Sequence, residues 1–379
     1  MKITHIETVA LRDAENGYDE TVVRVHTDEG AVGIGQAESP SLVIDAVIKN
    51  SEGLEGLLVG QNPTQVTRLW QKMYDATGLY GRRGVTIAAI GAVETALWDL
   101  AGQALGVPVH ELIWRGFTST RAQSEPLTRV TPYVTVYPSG SDIDQLRERM
   151  GHAAALGFRA VKMEEGAGMF GNVDLETDVR CVEAARDVLG PARELLVDVQ
   201  NMYSEYGQAL ASIRAIEPFR PFLVEAPFPP DNLEAYARLA DTVDVRIGVG
   251  DWGFTTRHEF RDIIERGRVD VVQPSTVRSG GISEIMYIAE MAYQRGLLCI
   301  PHAWCHLVGA VVGAHLAAVT PNMPFFETPL AYPASPVVSD LLEPKPEVAT
   351  DGTLEVPRKP GLGFTLNEDV VRDYRVDPY

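Results

Sequence analysis

The segment ELLVDVQN, residues 194–201, places a carboxylate at the end of an apolar run. Leu195, Leu196 and Val197 predict a buried strand, and Asp198 follows them directly. An isolated ionised carboxylate in a protein interior costs on the order of several kcal/mol unless a cation or hydrogen-bond donors compensate it. The segment therefore indicates that something compensates Asp198, and the same pattern recurs along the chain.

Seven further apolar runs lie between residues 130 and 329, and amphipathic segments with helical spacing separate them. Together with ELLVDV they make eight predicted strands: VTPYVTVY (130–137), FRAVKM (158–163), ELLVDV (194–199), PFLVEAPF (221–228), VRIGVGD (245–251), VDVVQPS (269–275), LLCIPHAW (297–304) and MPFFETP (323–329). Strands and helices that alternate in this way are typical of a parallel (β/α)8 barrel. We therefore predict the α/β class, with a modified TIM barrel over residues 126–339.

Residues 1–125 follow a different pattern. The segments KITHIETVAL, ETVVRVHTD and AVGIGQAE alternate apolar and polar residues and predict an antiparallel meander. Apolar residues at spacings of three and four then predict helices up to about residue 105. We predict an α+β capping domain over residues 1–125, completed by the Pro- and Gly-rich C-terminal segment 340–379.

Composition and charge exclude several classes of partner. The chain has 379 residues and a formal net charge of -19, which disfavours nucleic acids and anionic membranes because binding to them needs clustered Lys and Arg. No apolar run reaches the roughly 18 residues that could span a bilayer. The start MKITHIETVALRDAENGYDE reads as a strand rather than a signal peptide, so we expect a cytoplasmic protein.

The three cysteines are Cys181, Cys299 and Cys305, an odd number without paired spacing. This pattern argues against a disulfide framework and against a thiolate metal site.

A polar residue ends each predicted strand from the second to the eighth: Lys162, Asp198, Glu225, Asp251, Ser275, His302 and Glu327. From Asp198 onward the intervals are 27, 26, 24, 27 and 25 residues (225−198, 251−225, 275−251, 302−275 and 327−302). Each interval corresponds to one strand and one helix with their loops. Because the C-terminal ends of barrel strands meet at one mouth, we expect these side chains to share one cavity.

Three of these side chains, Asp198, Glu225 and Asp251, are carboxylates on adjacent strands. Like charges at close range oppose ionisation unless a cation lies between them, and an all-oxygen ligand set favours Mg²⁺ over zinc. A helix N-cap or a salt bridge would explain any one of them, but three in consecutive units favour a metal site.

Other polar residues near the mouth have simpler explanations. Taken alone, His302 could be an ordinary core histidine, but its place in the series of strand-end residues favours a functional role. Lys162 with Glu164 could form a structural ion pair. Four further residues are best explained as packing or rim residues: His306, Trp252, Arg278 and Tyr137. Gly280 and Gly281 in the sequence RSGG would allow a phosphate to bind at a helix N-terminus, although one glycine pair is weak evidence.

Segments spread over nearly the whole chain carry a family resemblance: YGRRGVTIAAIGAVETALWDLAGQALGVPVHEL (80–112), LLVDVQN (195–201), LVEAPFPPDN (223–232), GVGDWGFTTRHEF (248–260), VDVVQPSTVRSGGISE (269–284), IPHAW (300–304) and KPGLGF (359–364). They resemble the enolase superfamily, specifically the mandelate racemase/muconate lactonizing enzyme-like group. The resemblance implies an enolase-like barrel with its N-terminal cap. It also implies that Asp198, Glu225 and Asp251 bind Mg²⁺.

The resemblance further implies roles for residues outside the metal site. His302 matches the general base or acid of the family, and Glu327 matches a residue that helps to stabilise the enediolate formed after proton abstraction. Loops of the cap near Tyr18 and Ser39–Ser41 would close over the substrate. No organic cofactor is implied, and the family resemblance favours a symmetric homo-oligomer, from dimer to octamer.

The chain departs from the family pattern at three positions. Lys162-Met163-Glu164 replaces the usual Lys-x-Lys, so Glu164 stands where relatives have a catalytic lysine. Ser275 replaces an Asp or a Lys, and it could orient His302 by a hydrogen bond without raising the basicity of the imidazole. Asp251 is shorter than the usual Glu.

These departures favour a one-sided reaction over racemisation by two strong bases. Our first hypothesis is a Mg²⁺-dependent lyase that dehydrates an acid sugar to a 2-keto-3-deoxy acid. Its catalytic residues are His302, Lys162, Glu164, Glu327 and Ser275. The alternatives are a racemase or epimerase, a sugar-lactone cycloisomerase, and a catalytically impaired protein that binds acid sugars.

Overall fold

A computed structural model describes residues 1–116, 125–136, 142–164, 175–330 and 335–377 of the chain. The strands are, in chain order, β1 Ile3–Asp13, β2 Tyr18–Thr27, β3 Val32–Ala37, β4 Arg129–Val130, β5 Pro132–Val136, β6 Ala160–Glu164, β7 Glu194–Asp198, β8 Leu223–Glu225, β9 Arg246–Val249, β10 Val271–Val272, β11 Leu298–Cys299, β12 Phe326–Glu327, β13 Leu342–Glu343, β14 Leu354–Glu355, β15 Thr365–Leu366 and β16 Arg375–Val376.

The α-helices are α1 Ser41–Lys49, α2 Leu54–Leu58, α3 Val66–Ala76, α4 Val85–Leu105, α5 Val109–Gly116, α6 Ile143–Ala155, α7 Leu175–Leu189, α8 Tyr206–Ile216, α9 Leu233–Ala240, α10 Arg257–Asp262, α11 Ile282–Tyr293, α12 Leu307–Ala317, α13 Pro336–Ser339 and α14 Glu368–Tyr374. A 3₁₀ turn at Glu217–Phe219 and a π-helical turn at Ile263–Gly267 follow α8 and α10. Tyr137, which the sequence places near the barrel mouth, lies outside the described residues.

The capping sheet has the strand order β16-β1-β2-β3. Strands β1 to β3 form the predicted antiparallel meander, with Ile6 opposite Val25 and Val23 opposite Gly35. Ile6, Val23 and Val25 are buried in one core, as the alternation of apolar residues predicts. The C-terminal strand β16 pairs with the outer edge of β1.

Helix α4 packs closely against β3 because two glycines leave room for its backbone. A Cβ atom at Gly35 would lie 1.9 Å from the carbonyl oxygen of Ala92, and one at Gly33 would lie 2.1 Å from that of Ala96. This helix is the one element of the described residues that is long and apolar enough to cross a membrane. Since 94% of its apolar window is buried inside the protein, α4 serves as a core helix.

The eight predicted barrel strands all form, in the order β11-β10-β9-β8-β7-β6-β5-β12. All neighbouring pairs are parallel, and β12 pairs with β5. The backbone N–H of Glu327 donates to the carbonyl oxygen of Pro301 (3.1 Å), which joins β12 to the segment after β11. The predicted fold, a modified TIM barrel with an α+β cap, is confirmed.

The barrel interior is layered. Its lower part is a small apolar cluster that contains Tyr133, Ala160, Leu196, Leu223, Val271 and Ile300. Because side chains alternate along a strand, the residues two positions further on face the same interior at the C-terminal end. Those residues are Thr135, Lys162, Asp198, Glu225, Gln273 and His302.

The C-terminal segment contacts both units. Strand β16 joins the capping sheet, whereas β14 pairs with β4, immediately before the first barrel strand. Strands β13 and β15 pair with each other. The division at residues 125 and 340 remains our prediction.

The N-terminus of α11 binds a carboxylate of the protein itself. Glu94, fully buried on α4, accepts hydrogen bonds from the backbone N–H of Ile282 (2.8 Å) and of Ser283 (3.1 Å). A Cβ atom at Gly281 would lie 2.3 Å from Glu94 Oε2. The glycines of RSGG therefore admit Glu94, and the phosphate site considered at this position does not form.

Candidate active site

Three carboxylates from adjacent strands meet at the C-terminal mouth of the barrel. Asp198 and Glu225 end β7 and β8 and are paired in register, and Asp251 follows the end of β9 by two residues. Their exposed fractions are 3%, 0% and 4%. One oxygen from each lies within 4.8 Å of the other two, so the structure brings the predicted ligand set together.

Lys162 does not end its strand, as the sequence suggests, but lies two residues before the end of β6, in register with Leu196. Its Nζ reaches upward to Glu225 Oε1 (2.9 Å) and Oε2 (3.0 Å) and to Asp198 Oδ2 (3.2 Å). Burial opposes its charge, but Glu225 and other carboxylates outweigh burial and raise the lysine pKa well above its usual range. Lys162 therefore pairs with two of the three predicted ligands, Asp198 and Glu225, and its Nζ also lies 3.6 Å from Glu327 Oε1.

The three carboxyl groups resist simultaneous ionisation despite this lysine. Burial raises the pKa of Asp251 to about 7, with the negative charge of Asp198 as the next cause. Burial and then Asp198 also raise the pKa of Glu225 well above its ordinary value. For Asp198, burial raises the pKa and the charge of Lys162 only partly opposes it. A further cation would relieve this repulsion.

Gln273 supports the carboxylate group and was missed by sequence reasoning. Its Nε2 donates to Glu225 Oε2 (2.7 Å), and its side chain occupies space above Gly248, where a Cβ atom would lie 2.5 Å from Gln273 Oε1. The available signal was its place two residues after Val271, on the interior face of the barrel.

His302 presents a free ring nitrogen inside the site. Its Nε2 lies 3.5 Å from Glu327 Oε2, whereas Nδ1 is buried and has no hydrogen-bond partner among the described residues. Burial lowers the pKa of the imidazole to about 4, although the charge of Glu327 opposes this shift. His302 is therefore neutral at neutral pH, and Nδ1 can accept a proton.

Glu327 accepts several hydrogen bonds next to His302. Its Oε2 accepts from the backbone N–H groups of Ala303 and Trp304 (both 3.0 Å), and its Oε1 accepts from the Thr135 hydroxyl. Burial opposes its ionisation, but Lys162 and then His302 outweigh burial and lower the pKa of Glu327 to about 2. An ionised Glu327 fixes the loop that carries His302.

Glu164 ends β6 and is paired in register with Asp198. The lysine of the same strand pairs with other carboxylates, so the structural ion pair between Lys162 and Glu164 does not form. Oxygen Oε1 of Glu164 is buried without a hydrogen-bond partner in the described part of the chain. Burial, with Asp198 as the next cause, raises its pKa to about 8, so Glu164 holds a proton at neutral pH.

Ser275 lies beside His302 through a parallel backbone bridge, but its hydroxyl does not reach the imidazole. Ser275 Oγ instead accepts a hydrogen bond from the backbone N–H of Val277 (3.4 Å) within its own turn. The hydrogen bond from Ser275 to His302 that the sequence suggested is therefore not formed.

The cap contributes two acids that the sequence did not single out. His306, at the start of α12, places Nδ1 2.8 Å from Glu20 Oε2 and Nε2 3.4 Å from Glu38 Oε2. Arg278 Nε lies 2.9 Å from the same Glu38 oxygen. His306 and Arg278, which we explained as packing or rim residues, thus join Glu20 and Glu38 in a chain of alternating charge, Glu20–His306–Glu38–Arg278. We call this chain the interdomain charge ladder.

A cavity of about 400 Å³ lies beside this ladder. Glu38, Ser39 and Ser41 line it from the cap, and Trp304 and His306 line it from the barrel. The predicted cap loop near Ser39–Ser41 therefore faces Trp304 and His306 of the barrel, but neither His302 nor the three carboxylates line this cavity. Tyr18 is half-buried at the start of β2 and does not line this cavity.

Two known protein domain families match the chain. Residues 15–114 match the mandelate racemase/muconate lactonizing enzyme N-terminal domain, and residues 145–370 match the enolase C-terminal domain-like family. The first match covers most of the cap and the second covers most of the barrel.

Two curated relatives and one solved structure show the range of named activities. The chain is 31% identical to an arabinonate dehydratase of Saccharolobus solfataricus, over 96% of this chain and 92% of that protein. It is 29% identical to a D-galactarolactone cycloisomerase of Agrobacterium fabrum, over 99% and 96% of the two chains. The structure of a 3,6-anhydro-D-galactonate cycloisomerase from Zobellia galactanivorans superposes with a TM-score of 0.87 at 28% identity, and each chain is fully covered.

Proposed function

The chain belongs to the mandelate racemase/muconate lactonizing enzyme family of enolase-like proteins, and from this premise we propose that it is a Mg²⁺-dependent hydro-lyase. Its substrate is an acid sugar, and its product is a 2-keto-3-deoxy acid. The similarity to an arabinonate dehydratase supports this choice of reaction. One structural observation carries the proposal: three buried carboxylates lie beside a neutral histidine with a free ring nitrogen.

Asp198, Glu225 and Asp251 would hold the metal ion. Their oxygens form the hard donor set that Mg²⁺ prefers, and Asp251 Oδ1 is buried without a hydrogen-bond partner among the described residues. Lys162 offsets only one of the three negative charges. When bound, Mg²⁺ neutralises the substrate carboxylate and lowers the free energy of the enediolate that forms when the α-proton leaves.

His302 takes the α-proton at Nδ1. The imidazole is neutral, and Glu327, which lies 3.5 Å from Nε2, favours the tautomer that carries its proton on that nitrogen. The electron pair of the broken C–H bond passes into the substrate carboxylate. This step leaves an imidazolium and an enediolate.

Glu164 gives a proton to the departing β-hydroxyl. Burial is the main cause of its raised pKa of about 8, so Glu164 carries a proton at neutral pH before the metal ion and the substrate bind. The enediolate collapses, the C–O bond to the β-carbon breaks, and water leaves with the proton from Glu164. The resulting enol then tautomerises to the 2-keto-3-deoxy acid. Strands β5 and β12 separate β6 from β11, so Glu164 and His302 approach the substrate from different sides.

Cycloisomerisation of a sugar lactone is the second candidate. The similarity to a D-galactarolactone cycloisomerase and to a 3,6-anhydro-D-galactonate cycloisomerase favours it. Here too a base removes the α-proton and the bond between the β-carbon and its oxygen breaks. That oxygen belongs to the ring of the lactone, so it stays in the molecule through its other bond. The two reactions therefore differ in whether water is released.

The test is an assay of purified protein with Mg²⁺ against hexonates, pentonates, aldarates and their lactones. We expect keto-acid product from at least one acid sugar, and none from an Asp251→Asn variant. A product that is an isomer of the supplied lactone, formed by ring opening without loss of water, would favour cycloisomerisation. Exchange of the α-proton with deuterated solvent, followed by NMR, shows whether enolisation occurs at all.

Tight binding of an acid sugar in calorimetry without solvent exchange would overturn the enzymatic proposal. That outcome would identify a binding protein that retains the metal cavity. Absence of binding, exchange and product across the panel would also reject the acid-sugar assignment.

A further inference from the structure

Successive residues of the interdomain charge ladder alternate between the cap and the barrel, and their charges alternate in sign. Glu20 and Glu38 belong to the cap, whereas His306 and Arg278 belong to the barrel. Glu20 and His306 are almost completely buried, and the side chains of Glu38 and Arg278 retain only 21% and 19% exposure. The four formal charges cancel when the histidine is protonated.

His306 is held in that protonated form. Burial opposes the charge, but Glu20 and then Glu38 outweigh burial and raise the pKa of His306 to about 10. The ladder therefore begins with an anion at Glu20 and ends with a cation at Arg278. Although its net charge is zero, its Arg278 end has a positive potential.

Arg278 borders the carboxylate and histidine site. Its guanidinium lies 6.0 Å from the ring centroid of Trp252, the residue next to Asp251, and the Trp252 side chain is half exposed. Arg278 also lies three residues after Ser275, whose backbone forms a parallel bridge with that of His302. A ligand bound beside Trp252, Asp251 and His302 would therefore have the guanidinium of Arg278 on one side.

The guanidinium has unused donors. Arg278 Nη2 is buried without a hydrogen-bond partner among the described residues, and Nε faces Glu38 at 2.9 Å without good hydrogen-bond geometry. A buried cationic donor without a partner is costly, and a ligand oxygen would satisfy it. Lys162 is already paired with Asp198 and Glu225, and His306 with Glu20 and Glu38. Among the described residues of the mouth, Arg278 is therefore the cation with a donor left for a second anion.

We propose that Arg278 binds the distal carboxylate of a dicarboxylic acid sugar, so that the preferred substrate is an aldarate rather than an aldonate. The inference rests on the proposed function, because it assumes that the first carboxylate of the same molecule faces Asp198, Glu225 and Asp251. The hydroxymethyl end of an aldonate offers a neutral oxygen, which gains less from a guanidinium than a carboxylate does.

The ladder explains why this arginine stays in place beside an acidic site. Arg278 forms an ion pair with Glu38, Glu38 forms one with His306, and His306 forms one with Glu20 of the cap. These contacts hold the guanidinium at Glu38 and beside Trp252, and they leave Arg278 Nη2 without a partner among the described residues. In this arrangement Arg278 is a specificity-determining residue, and Glu20 and His306 are positioning residues.

The experiment compares galactarate with galactonate and glucarate with gluconate, using the Mg²⁺-loaded full chain and the Arg278→Met variant. We expect the wild-type protein to favour one aldarate over its matched aldonate by at least about tenfold in kcat/KM. Arg278→Met should reduce this ratio by roughly 10- to 100-fold. Because the distal contact exists before and during proton transfer, the loss should appear in KM rather than in kcat.

Arg295→Met is the matched control, since Arg295 follows α11 at the opposite end of the barrel and pairs with exposed Glu265. It should leave the aldarate to aldonate ratio unchanged. A wild-type preference for aldonates would overturn the inference. So would an Arg278→Met variant that loses activity equally on each aldarate and its matched aldonate.

Calorimetry separates this inference from the proposed function. If no acid sugar is turned over but galactarate binds more tightly than galactonate, and Arg278→Met removes the difference, the proposed function fails and the role of Arg278 stands. If aldonates are dehydrated and aldarates neither bind nor react, the role of Arg278 fails and the proposed function stands. If neither class binds, both fail.

Discussion

Lys162 Nζ lies between the two oxygens of Glu225, 2.9 and 3.0 Å away, and so a lysine rather than solvent faces the most buried acid of the site. Both side chains are almost fully buried, so each depends on the other for compensation. The lysine and a divalent ion would act on the same carboxylates. Stability and metal binding are therefore coupled at this pair.

We predict that Lys162→Met destabilises the protein more without Mg²⁺ than with it. Removing one partner of a buried ion pair typically costs about 3–5 kcal/mol, and bound Mg²⁺ would offset part of the charge left behind. The free energy of unfolding should be measured in urea with a chelator and with Mg²⁺. Lys49→Met, at an exposed pair with Glu55, is the control, and equal losses in the two conditions would contradict the prediction.

Glu164→Gln and His302→Asn should separate the two proton transfers. In Glu164→Gln, we expect kcat for dehydration to fall by roughly 10²- to 10⁴-fold while exchange of the α-proton with deuterated solvent continues. His302→Asn should abolish both dehydration and exchange. The measurements are keto-acid formation and NMR of the recovered substrate. Loss of exchange in Glu164→Gln would show that Glu164, rather than His302, removes the α-proton.

His306 should stabilise the protein most at acidic and neutral pH. Its folded pKa of about 10 exceeds the unfolded value of 6.5, so the contribution is complete below about pH 6.5 and is lost progressively as the pH rises toward 10. His306→Gln should cost on the order of 4 kcal/mol at pH 6 and much less near pH 10. Unfolding in urea across this range tests the prediction, with the exposed His258→Gln as control. A difference that does not depend on pH would contradict it.

His315 should have the opposite effect. Its Nδ1 accepts from the backbone N–H of His110 (3.2 Å), its Nε2 faces the carbonyl oxygen of Leu362 (3.0 Å), and burial lowers its pKa to about 3. Because the folded pKa lies below the unfolded value of 6.5, this contribution is present above pH 6.5 and is lost as the pH falls toward 3. The stability of His315→Gln should therefore fall less steeply between pH 6.5 and 4 than that of the wild-type protein. Parallel pH profiles of the unfolding free energy would exclude this role.

Sequence patterns predicted the barrel and the carboxylate group because both depend on local regularities. Short apolar runs between amphipathic helical segments identify the barrel strands, and their nearly equal spacing places Asp198, Glu225 and Asp251 at one level. The same reasoning placed Lys162 at a strand end, whereas Glu164 ends the strand and Lys162 reaches up from below. Register within a strand is a property of its pairing, which spacing alone does not reveal.

Contacts between the domains were not predictable in the same way. Glu20 meets His306 across 286 positions of sequence, and Glu94 meets the start of α11 across about 190. No periodicity links such residues, because their proximity depends on how the cap docks on the barrel. The same limit applies to the predicted homo-oligomer and cytoplasmic location, which stay predictions.

Glu94 should be essential to the contact between cap and barrel. Its carboxylate accepts from the backbone N–H groups of Ile282 and Ser283 and from Trp98 Nε1 (2.8 Å), so Glu94→Ala leaves buried donors without a partner. We expect a loss of about 3 kcal/mol or more in the free energy of unfolding. The neighbouring Thr95→Ala is a matched control, because Thr95 Oγ1 is buried on the same helix without a hydrogen-bond partner in the described part of the chain, and its loss should cost far less. Hydrogen exchange at the first turn of α11 should rise in Glu94→Ala but not in Thr95→Ala. Equal effects of the two substitutions would show that any change on α4, rather than loss of the carboxylate, loosens the interface.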